Sequence, residues 1–473
     1  MEGTERPARA LILAAGEARR MGRVKALLPL PCPAEGKKIE AQSALALLVG
    51  TFRRAGITDI TVVTGWHAHV VEPAAKALGL AVARNPAPER GMFSSVQTGL
   101  QALLAAHGQG PVLVNPVDVP LVRSLTLRAL LEAAAQTPDT VLLPVFAGQE
   151  GHPPCIPAAA LPALAAYAGP DGLRGALAAL PCRRLSVPDA AMLEDMDRPE
   201  DYARLQRLAL RRAALSPAEA LELLRLRAVP EKGLRHARAV GAVARALAEA
   251  LGRAARMAAN PDQTAVPRAP GAAQTPALDP ELACAGGLVH DIAKGQPHHE
   301  AAGAALLEAL ALPHLAALVR DHRDLSLPDD QPVSERELVY LADKYCWGGQ
   351  FVPVAQRFGQ KLEVFAQDAE ACAAIVGRLG RAKALEARLA RELGRAPAAV
   401  AQQTLALEDR PQDTTPAKTS PADKPEADKM PTEGPQADMP HTGKAQTNPA
   451  DRTTAKGTSA AATGRGASPK APA

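Results

Sequence analysis

The sequence predicts an α/β domain with a mostly parallel sheet, then an all-α domain, then a disordered C-terminal segment. Three observations predict this order. Up to about residue 145, short β-rich runs alternate with Ala/Leu-rich helical stretches. Beyond residue 214 the strand signals nearly vanish. Residues 411–473 contain no Val, Leu, Ile, Phe, Tyr or Trp, so they have little apolar surface to bury.

The alternation in the first part of the chain indicates βαβ units in a Rossmann-like sheet, whose ligands bind beyond the carboxyl ends of the strands. Residues 11–13 form the expected first strand. Further strands are predicted at residues 60–64, 80–83, 112–115 and 140–145, and helices at residues 41–55, 94–107 and 124–135.

The chain of 473 residues is too long for one ordinary domain. We expect a first domain over residues 1–208 and a second over residues 214–395, with the tail at 411–473. Ser216 looks like the N-cap of the first helix of the second domain, with Pro217 at the first helical position. A helix at residues 234–251 follows, and a Pro/Ala-rich insertion at 252–280 is expected to be a surface loop.

Composition excludes several classes of protein. A net charge of +4 and an aromatic content of 3% do not indicate a nucleic-acid binder, and they favour small anionic metabolites as partners. Six scattered cysteines without a Cys-x-x-Cys pair suit a reducing compartment. The sequence has neither a membrane-length apolar run nor a cleavable leader, so we expect an unprocessed cytoplasmic protein that binds no membrane.

The loop after the first strand joins small residues to a group of cations. Ala14, Ala15 and Gly16 leave the backbone open to a base or a phosphate. Positive charges follow within the same short segment at Arg19, Arg20, Arg23 and Lys25. Backbone N–H groups and side-chain cations together bind phosphate oxygens, although a solvated Arg-rich turn is the alternative interpretation.

This loop resembles the Leu-Ala-Ala-Gly-x-Ser-x-Arg-Met-Gly-x-x-Lys signature of the MobA-like nucleotidyltransferases. Ala18 stands where the family usually has a small hydroxyl residue. The matching residues are Leu13, Ala14, Ala15, Gly16, Arg20, Met21, Gly22 and Lys25. Four further blocks follow in the family's order, at residues 85–95, 115–120, 151–153 and 195–201. Five ordered matches are far more specific than one Gly-rich loop.

The resemblance implies nucleotidyl transfer with Mg²⁺ held by Asp118 and Asp197. It also implies that Lys25 and Arg20 face the triphosphate and that Ser95 joins residues 13–16 in binding the nucleotide. Asp118 follows a buried strand, which places its carboxylate at the mouth of the sheet, and Ser124 is better placed to cap the next helix. For Asp197, the alternative is an ordinary solvated acidic helix start.

Ala15 determines the nucleotide that the resemblance implies. In this family Leu-Ala-Ala-Gly, rather than Leu-Ala-Gly-Gly, is associated with cytidine nucleotides. The blocks are most similar to those of the molybdenum cofactor cytidylyltransferase (MocA-like) branch. That branch implies CTP and molybdopterin as substrates, and a molybdoenzyme that receives the product.

The second domain carries a set of metal-ligand residues. His290 and Asp291 are adjacent, His236 precedes them on a predicted helix and Asp343 follows. Imidazoles and carboxylates on the inward faces of helices can converge on a divalent ion that activates water. For any single histidine, a buried core position is the alternative interpretation.

The pattern resembles HD-domain phosphohydrolases. Lys294 completes the His-Asp-x-x-Lys run, where it is expected to contact substrate. His299 and His322 match the additional ligands of dinuclear members, so one or two divalent metals such as Mn²⁺ or Fe are implied. His314 matches no ligand position, and we expect it at the surface.

These observations predict a bifunctional enzyme, a cytidylyltransferase fused to a phosphohydrolase. A second hypothesis is a regulatory protein whose HD domain senses or degrades a nucleotide signal, with the transferase fold as a binding module. The intact Lys25, Arg20 and Asp118 argue against it. A third is a sugar-phosphate nucleotidyltransferase, although the first domain is short and has no recognisable sugar-binding extension.

Overall fold

The computed structural model describes residues 7–33, 39–259, 278–320, 322, 324–325, 328 and 331–408. The predicted tail at 411–473 lies outside the described residues, and so does the greater part of the predicted insertion at 252–280. Among the described residues, no helix is both long and apolar enough to cross a bilayer.

One eight-stranded sheet forms the centre of the first domain, in the order β10-β7-β9-β6-β1-β4-β5, with β8 paired to β7. Two separate two-stranded sheets pair β2 with β3 and β11 with β12. The strands are β1 (Arg9–Ala14), β2 (Pro29–Pro33), β3 (Ile39–Ser43), β4 (Asp59–Thr64), β5 (Ala81–Arg84), β6 (Val112–Pro116), β7 (Val141–Phe146), β8 (Gln149–Glu150), β9 (Cys155–Ile156), β10 (Cys182–Ser186), β11 (Cys346–Trp347) and β12 (Gln350–Phe351).

The helices of the first domain cover the sheet, and those of the second pack on one another. They are α1 (Ala44–Arg54), α2 (Ala68–Ala77), α3 (Met92–Ala105), α4 (Ser124–Gln136), α5 (Leu161–Ala166), α6 (Gly172–Ala178), α7 (Pro199–Leu210), α8 (Pro217–Leu226), α9 (Glu231–Ala259), α10 (Pro280–Val289), α11 (His299–Ala309), α12 (Pro313–Val319), α13 (Glu335–Tyr345), α14 (Val354–Val364), α15 (Ala369–Leu393) and α16 (Pro397–Glu408).

The sheet is mostly parallel, as predicted. β1 pairs in parallel with β4 and β6, and β7 with β10. The unpredicted strands β8 and β9 run antiparallel to their neighbours. Alternate β1 side chains enter opposite cores, with Leu11 and Leu13 packing beside α3 and Ile12 beside α1 and α4. Both faces are therefore buried, which explains the continuous apolar run.

Two predictions about helix starts in the first domain are wrong. Residues 41–43 are not helical, because they pair with β2 as part of β3, and α1 begins only after Ser43 caps it. Ser124 is not a helix cap, since Arg123 occupies that position. Instead, the buried Asp189 carboxylate accepts from the backbone N–H of Arg123 at 2.8 Å and from the Thr126 hydroxyl at 2.7 Å.

In its described residues, the second domain contains helices and one short hairpin, β11–β12. Ser216 caps α8 as predicted, and its reciprocal partner is Glu219. The predicted helix at 234–251 extends at both ends to form α9, so residues 252–259 belong to this helix rather than to a loop. A Cβ on Gly287 of α10 would lie 2.8 Å from the Gly241 Cα of α9, and this glycine pair lets the two helices approach closely.

The two domains share a buried ion cluster. Arg123, at the start of α4, reaches Glu219 of α8 with Nη2–Oε2 at 3.2 Å and Nε–Oε1 at 3.3 Å. Glu219 also accepts from the backbone N–H groups of Ala190 at 2.9 Å and Ser216 at 2.7 Å. Leu125 packs within the apolar core of the second domain. The domains are therefore joined by hydrogen bonds as well as apolar contacts.

Candidate functional site

A cavity of about 820 Å³ lies beyond the carboxyl ends of β1 and β6. The loop after β1 forms one wall, and the loop after β6 forms another. The predicted site residues that line it are Leu13, Ala14, Ala15, Gly16, Lys25, Ser95 and Asp118. Its position is the one that parallel α/β sheets use for ligands.

Backbone contacts hold the loop after β1 in place. The Leu13 carbonyl accepts from the Val117 N–H at 2.9 Å, and the Ala15 carbonyl accepts from the Trp66 N–H at 3.3 Å. A Cβ on Gly65 would lie 2.7 Å from the Ala15 oxygen, so the two segments could not tolerate a larger residue there. A Cβ on Gly16 would meet no protein atom within 4 Å. The space beside Gly16 is therefore available to a ligand.

Lys25 joins the two predicted carboxylates at one edge of the cavity. Its Nζ lies 2.8 Å from Asp118 Oδ2 and 2.6 Å from Asp197 Oδ1. Burial alone would lower the pKa of Lys25, but the charges and hydrogen bonds of both carboxylates outweigh it and the pKa is raised. The Lys25 hydrogen bond in turn lowers the pKa of Asp197 against a smaller opposing effect of burial. The Asp197 carboxylate is thus held as an anion.

Arg20 and Asp197 do not line the cavity. Asp197 contacts Lys25 at its edge, and Arg20 contacts Asp197. Arg20 Nη1 lies 3.0 Å from Asp197 Oδ2, and the Arg20 side chain is largely exposed. The structure therefore brings Arg20, Lys25, Asp118 and Asp197 together, although they are separated by up to 177 residues along the chain.

The buried side-chain amide of Asn115 holds the loop that carries Asp118. Asn115 is fully buried, and its Nδ2 donates to the carbonyl oxygens of Pro116 at 2.7 Å and Val119 at 3.1 Å. The Asp118 carbonyl accepts from the Met196 N–H at 3.1 Å, which ties the two acid-bearing segments together. These bonds set the spacing between Asp118 and Asp197.

Ser95 lies in a hydroxyl and amide cluster at the start of α3. Asn85 Nδ2 donates to the hydroxyl oxygens of Ser94 at 2.8 Å and Ser95 at 3.0 Å, and its Oδ1 accepts from the Ala87 N–H at 2.9 Å. Gly91, just before the helix, has φ +92°, which favours glycine. Asn85 therefore positions the predicted nucleotide-binding serine.

Sequence reasoning assigned no role to Asp195 and His152, which also line this cavity. Partial burial and the nearby Asp197 and Asp118 charges raise the pKa of Asp195. Burial lowers the pKa of His152, against the attraction of Asp118. Both residues fall within sequence blocks that match the family pattern, and this was the signal that could have identified them.

The donor set at this cavity fits Mg²⁺. Carboxylate oxygens are the ligands that this ion prefers, and Asp118, Asp195 and Asp197 supply them around one edge of the cavity. The Lys25 ammonium already lies between two of these carboxylates, so the position between them attracts a cation.

A second cluster of ligand residues lies among the helices of the second domain. His236 comes from α9, His290 and Asp291 follow α10, and Asp343 comes from α13. His236 Nε2 lies 3.3 Å from Asp343 Oδ1, and His290 Nε2 lies 3.5 Å from Asp291 Oδ2. Four predicted ligands from three segments of the chain therefore converge.

His299 and His322 complete the cluster on the Asp291 side. Their Nε2 atoms lie 3.4 Å and 3.6 Å from Asp291 Oδ1. The exposed Lys294 places its Nζ 2.5 Å from Asp291 Oδ2. His314 is exposed, as predicted.

Two histidine rings are oriented for metal binding. His290 Nδ1 lies 2.7 Å from the Gly287 carbonyl oxygen, and His322 Nδ1 lies 2.7 Å from the Val319 carbonyl oxygen. A carbonyl only accepts, so each Nδ1 carries the proton and each Nε2 lone pair points into the cluster. Among the residues that the structure describes, no hydrogen-bond partner reaches the buried Nε2 of His290. An unpartnered buried acceptor beside carboxylates fits a metal ligand.

The geometry fits one or two divalent ions. Ligand atoms of His236, His290 and Asp343 lie within 4.8 Å of one another, as do those of His290, Asp291 and His322. The two groups share His290, and imidazole with carboxylate is the donor set of Mn²⁺ and Fe sites.

Two buried cations beside Asp343 were missed by sequence reasoning. Lys344 Nζ lies 2.7 Å from Asp343 Oδ2, and Arg357 Nη2 lies 3.1 Å from Asp343 Oδ1. Burial opposes ionisation of Asp343, but these cations and His236 keep its pKa well below the usual range. No motif spacing distinguishes Arg357, because its role depends on how α14 packs against α13.

Two segments of the chain match models of known families. Residues 10–185 match the model of the MobA-like NTP transferase domain. Residues 233–348 match the model of the HD domain. The first match contains the cavity residues from Leu13 to Ser95 and Asp118, and the second contains all six predicted ligands of the helical cluster.

Individual proteins are similar to part of the chain. The bifunctional protein GlmU of Rhizorhabdus wittichii is 38% identical over 129 residues, which are 27% of this chain and 26% of that protein. The chain thus spans about a quarter of this curated relative. Rv0371c from Mycobacterium tuberculosis H37Rv is 23% identical, with a TM-score of 0.35 over 42% of this chain and 98% of the other. A nucleotidyl transferase from Methanothermobacter thermautotroptrophicus is 23% identical, with a TM-score of 0.37 over 44% and 99%.

Proposed function

Because the chain joins a MobA-like NTP transferase domain to an HD domain, we propose that it transfers CMP from CTP to molybdopterin and hydrolyses a phosphoester at a second site. The observation that carries the transferase proposal is the ammonium of Lys25 between Asp118 and Asp197 at the edge of an open cavity. Nucleotidyl transfer needs this combination of acids and cations beside a loop that accepts phosphate.

In the proposed reaction, a phosphate oxygen of the acceptor forms a bond to the α-phosphorus of CTP. The bond from that phosphorus to the bridging oxygen breaks, and pyrophosphate leaves with the electron pair. Backbone N–H groups of residues 14–16 orient the triphosphate, while Lys25 and Arg20 offset the charge that develops on the leaving pyrophosphate. Bound Mg²⁺, held by Asp118 and Asp197, would supply further charge neutralisation.

The choice of CTP rests on Ala15 within the Leu-Ala-Ala-Gly loop, and molybdopterin rests on the same resemblance. The cavity volume of about 820 Å³ is large enough for a nucleotide together with part of an acceptor. A molybdoenzyme would receive the product.

At the second site we propose metal-dependent phosphoester hydrolysis. A metal held by His236, His290, Asp291 and Asp343 would activate water, and His299 and His322 would complete a second position. Lys294 is exposed beside Asp291 and would bind the substrate phosphate. The orphaned His290 Nε2 supports this proposal, because a buried unpaired acceptor suits a ligand atom better than a core histidine.

Pyrophosphate release from CTP in the presence of molybdopterin tests the transferase proposal. We expect Asp118→Asn to abolish release while hydrolysis of a generic phosphoester under Mn²⁺ continues. Asp139→Asn is the matched control, since Asp139 is exposed and lies away from the cavity. Pyrophosphate release at the wild-type rate by the Asp118 variant would contradict the proposed role of Asp118. Release with a sugar phosphate but not with molybdopterin would show that the acceptor is a sugar phosphate.

A further inference from the structure

A second cavity, of about 440 Å³, lies between the two domains and belongs to neither site described above. We call it the junction cavity. The first domain contributes residues of β2, α1, the start of α4 and the segment after α7, and the second contributes the end of α11 and the start of α12.

Two arginines in this cavity converge on one hydroxyl oxygen. Thr51 Oγ1 accepts from Arg212 Nη2 at 2.6 Å and from Arg54 Nη2 at 3.1 Å. The two like charges are therefore close neighbours. Within the part of the chain that the structure describes, neither guanidinium pairs with a carboxylate, and their other acceptor is the neutral Val122 carbonyl, bound by Arg212.

The acidic groups nearby are already engaged. Glu219 and Asp189 pair with Arg123, and Glu308 pairs with Arg320 outside the cavity. Burial, followed by the charges of Arg54 and Arg123, lowers the pKa of Arg212 to about 9. Arg54 is exposed, so the charge that most needs an anion to offset it is that of the more deeply buried Arg212.

We propose that the junction cavity binds a phosphomonoester with an apolar or aromatic body, the chemistry of a nucleoside 5′-monophosphate. The two guanidinium forks are the groups that bind phosphate oxygens in a bidentate manner. The remaining walls are mainly Pro, Leu and Ala side chains, which suit a flat apolar group. The volume falls in the usual range for small-molecule sites.

The location gives this ligand contacts with both domains. Leu310, Leu312 and Pro313 belong to the helical domain, whereas Arg54 and Arg212 belong to the segments that precede it. A ligand that contacts both sides binds only when the domains are docked, so it stabilises the docked arrangement by mass action.

Cys32 provides a local readout, because it lines the junction cavity and is partly buried. The rate of Cys32 alkylation by iodoacetamide is measured by peptide mass spectrometry on the full chain, with and without CMP. We expect CMP at ten times its Kd to slow Cys32 alkylation about tenfold. Cys182 is exposed, does not line the cavity and serves as the internal control, whose rate should not change.

Variants separate this site from the transferase cavity. Arg54→Gln should abolish protection of Cys32 and leave pyrophosphate release unchanged, because Arg54 does not line the transferase cavity. Arg212→Gln should do the same, and its melting temperature checks that the chain still folds. Lys25→Ala should retain protection, since Lys25 does not line this cavity. Unchanged Cys32 alkylation with CMP, protection that survives Arg54→Gln, or protection by orthophosphate but not by CMP would each overturn the proposal.

Discussion

Replacing Glu219 by Gln removes one charge from the buried cluster that joins the two domains. Glu219 is 3% exposed and accepts four hydrogen bonds, two from the Arg123 guanidinium and two from backbone N–H groups. Glutamine has the same shape but keeps only one acceptor oxygen. Whichever way the amide is oriented, its NH₂ group faces one Arg123 donor and one backbone donor.

The expected loss of stability follows from these contacts. One charge-assisted hydrogen bond is worth about 1.5–3 kcal/mol, and one buried backbone N–H without an acceptor costs about 1–3 kcal/mol. The same change leaves the Arg123 charge less compensated, and breaking a buried pair costs about 3–5 kcal/mol. We therefore expect Glu219→Gln to lower the free energy of unfolding by about 3–5 kcal/mol.

Urea denaturation of the wild type and the variant measures this difference, provided that both transitions follow the same two-state model. Glu222→Gln is the matched control on the same helix, because Glu222 pairs with the exposed Arg225 at 3.4 Å. Its loss should be about 0.5 kcal/mol or less. A loss below about 1 kcal/mol for Glu219→Gln would refute the view that this carboxylate holds the domains together.

Two further predictions concern the candidate sites. Lys25→Met should raise the pKa of Asp197 toward its ordinary value, which NMR titration of a labelled carboxylate measures. Because this pKa is lowered in the folded wild type, the Lys25–Asp197 pair stabilises the fold at neutral pH, and this stabilisation is lost on acidification through the folded-state pKa. A wild-type chain that does not lose this stability on acidification would contradict the pairing. Asp291→Ala should lower both the metal content, measured by elemental analysis, and Mn²⁺-dependent hydrolysis. His314→Ala should change neither, because His314 is exposed. Full metal occupancy in the Asp291 variant would argue for a structural cluster.

The sequence predicts the main sheet well, because buried parallel strands are short apolar runs between helices. β1 and β6 are examples, and both are fully buried. β2 was missed since it contains three prolines, which are unusual in strands, and β9 has only two residues. Elements of this kind depend on their neighbours, so their own residues give little signal.

In the candidate sites, too, some features can be predicted from the local sequence and others depend on how the chain packs. Ordered motifs predicted that Lys25, Asp118 and Asp197 would lie together, but the motifs do not specify that Lys25 would bridge the two carboxylates. That contact depends on the loop geometry that Asn115 fixes. Arg357 beside Asp343 had no spacing signal at all, because helix packing alone brings it there.

We propose that the cavity beyond β1 and β6 binds cytidine triphosphate. The thermal unfolding of the full chain with Mg²⁺ and either CTP or GTP tests it most directly. At one hundred times its Kd, CTP should stabilise the wild type by about 2.7 kcal/mol, with a smaller effect of GTP and a loss of the CTP effect in Lys25→Met. Equal or greater stabilisation by GTP would contradict the cytidine assignment, and no stabilisation by either triphosphate would contradict the nucleotide site itself.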